Sequence, residues 1–243
     1  MSNRGTVVAA AVVGALLVGA AGIGIVYFVF FPGSSPQKLA LSSPTPSTSA
    51  TSASTATPAS TPAAGTWTVT SGSQAGYRVR EQLASLPAPS DAVGRTSAVT
   101  GTLVLAQSAT GYSVTAASVT VDVSKLSSDQ SRRDQRIRSQ GLESDRYPTA
   151  TFQLTTPITL PATAASGQAI NVSATGALTV HGVTKTVTIP ITARLNGSKI
   201  ELVGSITFPF SQFGMTPPSI GGFVTVQDNA TMEFQIFLAP PGA

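Results

Sequence analysis

From Gly65 onward, apolar and polar residues alternate in short runs, the two-residue period of strands with one buried face. The clearest case runs from Thr175 to Ile191. Both sides of a His-Gly pair alternate there, which predicts a β-hairpin turning at His181–Gly182. Beyond it Val187, Ile189, Ile191, Ala193 and Leu195 face one way and Thr186, Thr188, Pro190, Thr192 and Arg194 the other. Met232, Phe234, Ile236 and Leu238 repeat the pattern near the C-terminus. The same reading predicts strands over Thr66–Ser71, Tyr77–Leu83, Thr96–Ala106, Tyr112–Val123 and Thr151–Thr155. It predicts four more over Ile170–Val180, Val183–Leu195, Lys199–Phe208 and Phe223–Leu238. Many antiparallel strands with no βαβ rhythm predict an all-β closed barrel or sandwich, and closure removes exposed edges.

One segment breaks the period. Ser127–Ser139 is polar and carries Arg132, Arg133, Arg136 and Arg138, a short helix with a Ser or Asp N-cap. Ile137 and then Leu142 turn toward the protein. Its arginines read as a solvated face with local Arg–Asp pairs; the functional alternative places them at a barrel mouth, against an anionic headgroup.

The N-terminal part follows other rules. Residues 1–5 form a short N-terminus, cytoplasmic in this reading. Thr6–Phe31 is an apolar run of 26 residues without a charge. At about 1.5 Å per residue it is long enough to cross a hydrocarbon core of roughly 30 Å. Tyr27, Phe28, Phe30 and Phe31 fall at its end, where rings favour the interface, and Arg4 precedes it. This predicts a single-pass anchor with the remainder outside the cytoplasm, the alternative being a cleaved signal. Residues 32–64 are rich in Ser, Thr, Ala and Pro and bury too little apolar surface to order themselves, an extended tether. The folded domain is then 65–243.

Composition excludes more than it selects. With no cysteine there is no disulfide, thiolate nucleophile or thiolate metal site. The net charge of +4 is small and only 6% of residues are aromatic, which argues against a nucleic-acid partner. His181 is the sole histidine, so no His metal cluster exists, and no nucleophile motif surrounds it. It reads as a surface or turn residue. Asp228-Asn229 reads as a turn cap rather than an ion site. Arg80 and Glu81 are adjacent on one strand and therefore face opposite ways, so one of them enters the barrel and needs a partner there.

Several motifs in order resemble one family. Arg133-Asp134-Gln135-Arg136-Ile137-Arg138-Ser139, Tyr147-Pro148-Thr149-Ala150-Thr151-Phe152, Gly176–Val187, Phe213-Gly214-Met215 and Val224–Phe234 are similar to signatures of YceI-like proteins. The resemblance implies an extended antiparallel lipocalin-like barrel with one short helix and an apolar interior, binding a polyisoprenoid or similar amphiphilic lipid without catalysis. A bound prenyl lipid or quinone would be the ligand, and no cofactor is implied. Tyr77-Arg78-Val79-Arg80-Glu81 departs from the family, which often carries a His there, so the headgroup contact here differs. Expected lining residues are Tyr77, Val79, Phe152, Phe208, Phe210, Phe213, Met215, Phe223 and Phe234, with the Phe208–Met215 stretch foremost. Expected headgroup residues are Arg80, Glu81, Arg133 and Arg136. Two other functions stay open: a stalked interaction domain whose barrel is filled by side chains, and a lipid-modifying enzyme using His181 or Glu81 as base. Self-association as a homodimer is also left open.

Overall fold

The structure is a computed structural model that describes residues 35–43, 62–83, 89–109, 111–218 and 224–242. The apolar run of residues 6–31 lies outside these, as does Phe223; no helix among the described residues is long and apolar enough to cross a membrane.

Among the described residues there are eleven strands, most of which follow the alternation. They are β1 (Gly65–Val69), β2 (Gln74–Leu83), β3 (Ser90–Thr96), β4 (Val99–Ser108), β5 (Gly111–Asp122), β6 (Thr149–Leu154) and β7 (Ile158–Thr159). Then come β8 (Ile170–Val180), β9 (Val183–Asn196), β10 (Lys199–Phe208) and β11 (Val224–Ala239). All pairings are antiparallel. The ring runs β1-β4-β5-β6-β8-β9-β10-β11 and returns to β1 through Thr68–Ala239 and Val69–Leu238, an eight-stranded closed barrel. β11 has 16 residues, so its other end is free to pair with β2, and β2 with β3. An isolated bridge from Arg95 to Ser127 ties β3 to the chain leaving β5. The wall therefore closes through β1 at one end and through β2–β3 at the other.

Helix α1 (Ser131–Ser139) sits after β5, with Leu142 packed on the core as the pattern predicts. Its N-cap is Gln130, which makes no side-chain cap bond, rather than Ser or Asp. Asp134 instead reaches back to accept from the Ser128 N–H and from Ser128 Oγ at 2.6 Å. The His181–Gly182 turn has positive φ at both residues, 52° and 71°, the geometry that matches strand twist in a two-residue hairpin. A histidine rarely adopts this conformation. Here its ring packs 4.5 Å from Tyr147, Nδ1 lies 3.2 Å from the Phe213 carbonyl, and the side chain is 11% exposed. It is a turn residue but not a surface one.

Asp228 and Asn229 also differ from the expected turn. They fall inside β11, where the register to β2 slips between Val226 and Ala230, and Asp228 accepts a hydrogen bond from the Phe210 N–H. β3 escaped the pattern because both its faces are covered: Ala92 is 2% and Val93 4% exposed. Without an exposed face no alternation appears.

The stretch read as a tether is partly placed on the barrel. Gln37–Ser43 crosses the outer wall, its backbone accepting from Arg95 (at Gln37 O), Gln235 (at Ala40 O, 3.0 Å) and Arg194 (at Ser42 O). Ser42 donates to Glu201 Oε1 through its N–H at 2.6 Å and its hydroxyl at 2.8 Å. We call this segment the strap.

Candidate functional site

The register fixes which side chains point inward. From Trp67 opposite Leu103, through Val119 opposite Phe152, to Gly204 opposite Phe234, the inward positions of the ring are mostly apolar or small; Lys185, opposite Leu178, and Gln107, opposite Tyr112, share that face near the strand ends and are exposed. They form two clusters. One, at the α1 end, centres on Leu178, Phe208, Phe210, Phe213 and Met215; the other holds Trp67, Leu105, Ile236 and Leu238. Phe213 is fully buried and Trp67, Leu178 and Leu238 are each 2% exposed. Both ends are packed as solid protein.

The middle is different. Leu103, Val119, Phe152, Ile191, Ile206, Met232 and Phe234 all point inward, yet each is only half-buried. A side-chain-filled barrel would seal such positions. An eight-stranded ring is narrow enough for its own side chains to fill, so any room depends on small residues. Ala117, Ala174, Gly176, Ala193 and Gly204 supply them at inward positions.

Three inward glycines carry aromatic rings. A Cβ built on Gly94 would lie 2.3 Å from Tyr77, one on Gly176 2.5 Å from Phe152, and one on Gly204 2.5 Å from Phe234. Each ring therefore occupies the space that a Cβ on its glycine would take.

The expected lining residues thus separate. Tyr77, Phe152 and Phe234 lie along the half-exposed middle, whereas Phe208, Phe210, Phe213 and Met215 are buried in the α1-end cluster, with Phe213 edge-on to Phe208 at 4.6 Å. Val79 is buried beside them. The Phe208–Met215 bend, foremost in the sequence reading, is buried: Phe210–Phe213 forms a 3-10 turn whose two phenylalanines belong to the α1-end cluster.

Of the expected headgroup residues the structure joins two. Glu81 follows Tyr77 and Val79 on the inward face and meets Arg133 of α1 through two parallel bonds, Nε–Oε1 3.2 Å and Nη2–Oε2 3.1 Å. Burial works to lower the Arg133 guanidinium, and Glu81 and Asp129 outweigh it and hold it above its ordinary value. Arg80 points outward and pairs with Asp91 at 2.9 Å. Arg136 bonds Gln140 within the helix region, 3.4 Å away. Tyr77 Oη, near Arg133, is buried and makes no aligned hydrogen bond; burial pushes the hydroxyl well above the phenol range.

The outer wall holds charges that the sequence reading did not single out. Glu201 is fully buried under the strap and receives Arg194 at 2.8 Å, Gln235 at 2.9 Å and both Ser42 donors. Burial would raise its carboxyl; these donors prevail and bring the pKa down to about 2. Glu233, 4% exposed, meets Arg95 at 2.7 Å and Arg78 at 3.6 Å. Strand parity places these residues outside, where exposure is the usual expectation, so sequence offers no sign of their burial.

Among the described residues no group of acidic or histidine side chains could hold a metal ion. His181 faces Glu143 at 3.5 Å, Tyr147 and a backbone carbonyl, with no nucleophile beside it.

A closed antiparallel barrel with an apolar interior, its inward side chains least completely buried between two packed clusters, is the class of protein these observations define. The model of the YceI-like domain matches residues 67–238, most of the chain, and the protein belongs to that family. No curated protein matches it. Among solved structures, a polyisoprenoid-binding domain from Saccharophagus degradans implicated in plant cell wall breakdown is 14% identical, with a TM-score of 0.53. The match covers 74% of this chain and all of that one. BcnA of Burkholderia cenocepacia is 19% identical over 67% of this chain and 95% of that one, with a TM-score of 0.48. The YCEI protein of Campylobacter jejuni is 16% identical over 56% and 78%, with a TM-score of 0.43. At 14% identity the likeness to the S. degradans domain speaks for the fold alone.

Proposed function

We propose that this chain is a non-catalytic binding protein that holds one polyisoprenoid or similar amphiphilic lipid in the barrel, anchored by residues 6–31 with the barrel outside the cytoplasm. The observation that carries the reading is the row of inward apolar side chains left half-exposed between two packed ends. Water gains little from such a surface. An alkyl or prenyl chain placed there would contribute about 0.8 kcal/mol for each CH₂ removed from water, so length gives affinity without specific polar contacts. The S. degradans relative is described as polyisoprenoid-binding, which supports the same ligand class. At the α1 end, Tyr77 Oη, Glu81 and Arg133 are the polar groups available to a headgroup. Arg133 is already paired on both sides, by Glu81 and Asp129.

The test is native mass spectrometry of the full chain, released from a detergent micelle in the spectrometer, followed by lipid extraction. One retained prenyl-type lipid per chain is the expected result. A chain that flies empty, and that fails to bind a fluorescently labelled geranylgeraniol, would overturn the reading in favour of a side-chain-filled interaction domain.

A further inference from the structure

We propose that the three aromatic-on-glycine seats set the bore of the lumen, and that Gly94 and Tyr77 are its adjustable gate: the ligand is a single chain no wider than these rings allow. The inference rests on the lipid-binding reading above and adds which residues limit the ligand's cross-section.

The geometry begins with the ring of strands. β6 and β11 stand four strands apart whichever way one goes round, so Phe152 and Phe234 occupy opposite walls. Each could reach toward the axis and close an eight-stranded barrel. Gly204 stands directly opposite Phe234 and Gly176 diagonally from Phe152, and each ring takes the space that a Cβ on its glycine would fill. Tyr77 does the same over Gly94, toward the α1 end, beside Met232. Aromatic-over-glycine pairs also shield strand backbone, so stability alone could account for them. Their placement argues for more. All three lie on the inner face at partly buried positions, packed against the cluster centred on Phe213 without being among its sealed members, and Phe234 also touches the Trp67 cluster.

The seats differ in what else a side chain would strike. A Cβ at Gly176 would also sit 2.3 Å from the Gln153 carbonyl, and one at Gly204 2.8 Å from the Pro190 carbonyl. At Gly94 the three nearest atoms all belong to the Tyr77 ring, at 2.3, 2.7 and 2.8 Å. A methyl group at Gly94 can therefore be accommodated by moving one ring, and the direction left to that ring is into the lumen. The substitution narrows the bore without forcing strands apart.

The experiment uses the full chain in detergent with two fluorescent probes, labelled geranylgeraniol (methyl-branched) and labelled hexadecanol (straight). Gly94→Ala should weaken the branched probe roughly tenfold or more and the straight one much less, overpacking being costly in a filled site. The double variant Gly94→Ala/Tyr77→Val should restore the branched probe, which a purely structural role would not do. Tyr77→Val alone should admit a labelled sterol that the native chain excludes, and this variant serves if Gly94→Ala does not fold. Equal affinities across the native chain and all these variants would overturn the bore inference while leaving lipid binding intact. Failure of the native chain to bind either probe would instead remove the reading on which it rests.

Discussion

The inner and outer faces of β9, β10 and β11 reverse the usual arrangement. Inside, Ile191, Met232 and Phe234 are apolar yet half-exposed; outside, Glu201 is fully buried and Glu233 nearly so. Neighbours along one strand differ only in parity, so residue type alone does not set exposure. What sets it is what covers each face. The strap covers the outer one, whereas among the described residues the middle of the inner one is less completely covered than the two ends. A buried carboxylate survives because four donors and a guanidinium surround it, and an open apolar face is tolerable where a ligand completes it.

The largest expected effect tests the packed end against the open middle. Trp67→Ala should cost about 3–5 kcal/mol in urea unfolding, as for other fully buried large aromatics. Phe234→Ala should cost clearly less, because its side chain is less completely buried. Equal costs would mean that the middle is as solid as the ends.

Next comes the outer wall. Glu201→Ala leaves Arg194 without its carboxylate and Ser42 without its acceptor. Losing one partner of a buried pair typically costs about 3–5 kcal/mol, and limited proteolysis should now cut within Gln37–Ser43. Binding of labelled geranylgeraniol should stay as in the native chain, since Glu201 faces away from the lumen. A lost affinity would show that the two faces are coupled.

A smaller effect follows from pH. The Glu201 carboxyl titrates at about 2 in the folded chain and at 4.5 in an ordinary setting. A depressed folded value stabilises the docked strap above pH 4.5, and that contribution fades as pH falls from 4.5 through 2. The chain has no cysteine, so a spin label at Ala40→Cys reports the strap alone. It should stay immobile above pH 5 and loosen toward pH 2; mobility unchanged over that span would refute the role of Glu201. Smallest of all, Thr184→Val on the exposed outer face, where Thr184 only touches Thr179 at 2.8 Å, should move stability by no more than about 0.5 kcal/mol.

Strand placement was legible wherever one face is wet. The alternation through β8–β9 and β10–β11, the His-Gly turn and the inward Leu142 could all be read from residue order. β3 could not, because both its faces are covered, and β7 is two residues long. The site was half legible: parity put Tyr77, Phe152 and Phe234 on the buried face beside Phe208, Phe213 and Met215 but did not separate lumen wall from packed cluster. The outward burial of Glu201 and Glu233 left no trace, since the strap that causes it lies some 160 to 190 positions away in the chain.

By itself, then, the sequence determined an all-β antiparallel fold and the inner face of its longer alternating strands, because a two-residue period and short turns act locally, while its motifs in order pointed to the family and through it to a barrel. Tertiary structure alone decided where the barrel closes, which inward residues stay open, which glycines seat a ring and what the strap covers. Those depend on register between strands distant in sequence, and register is settled only when the ring shuts.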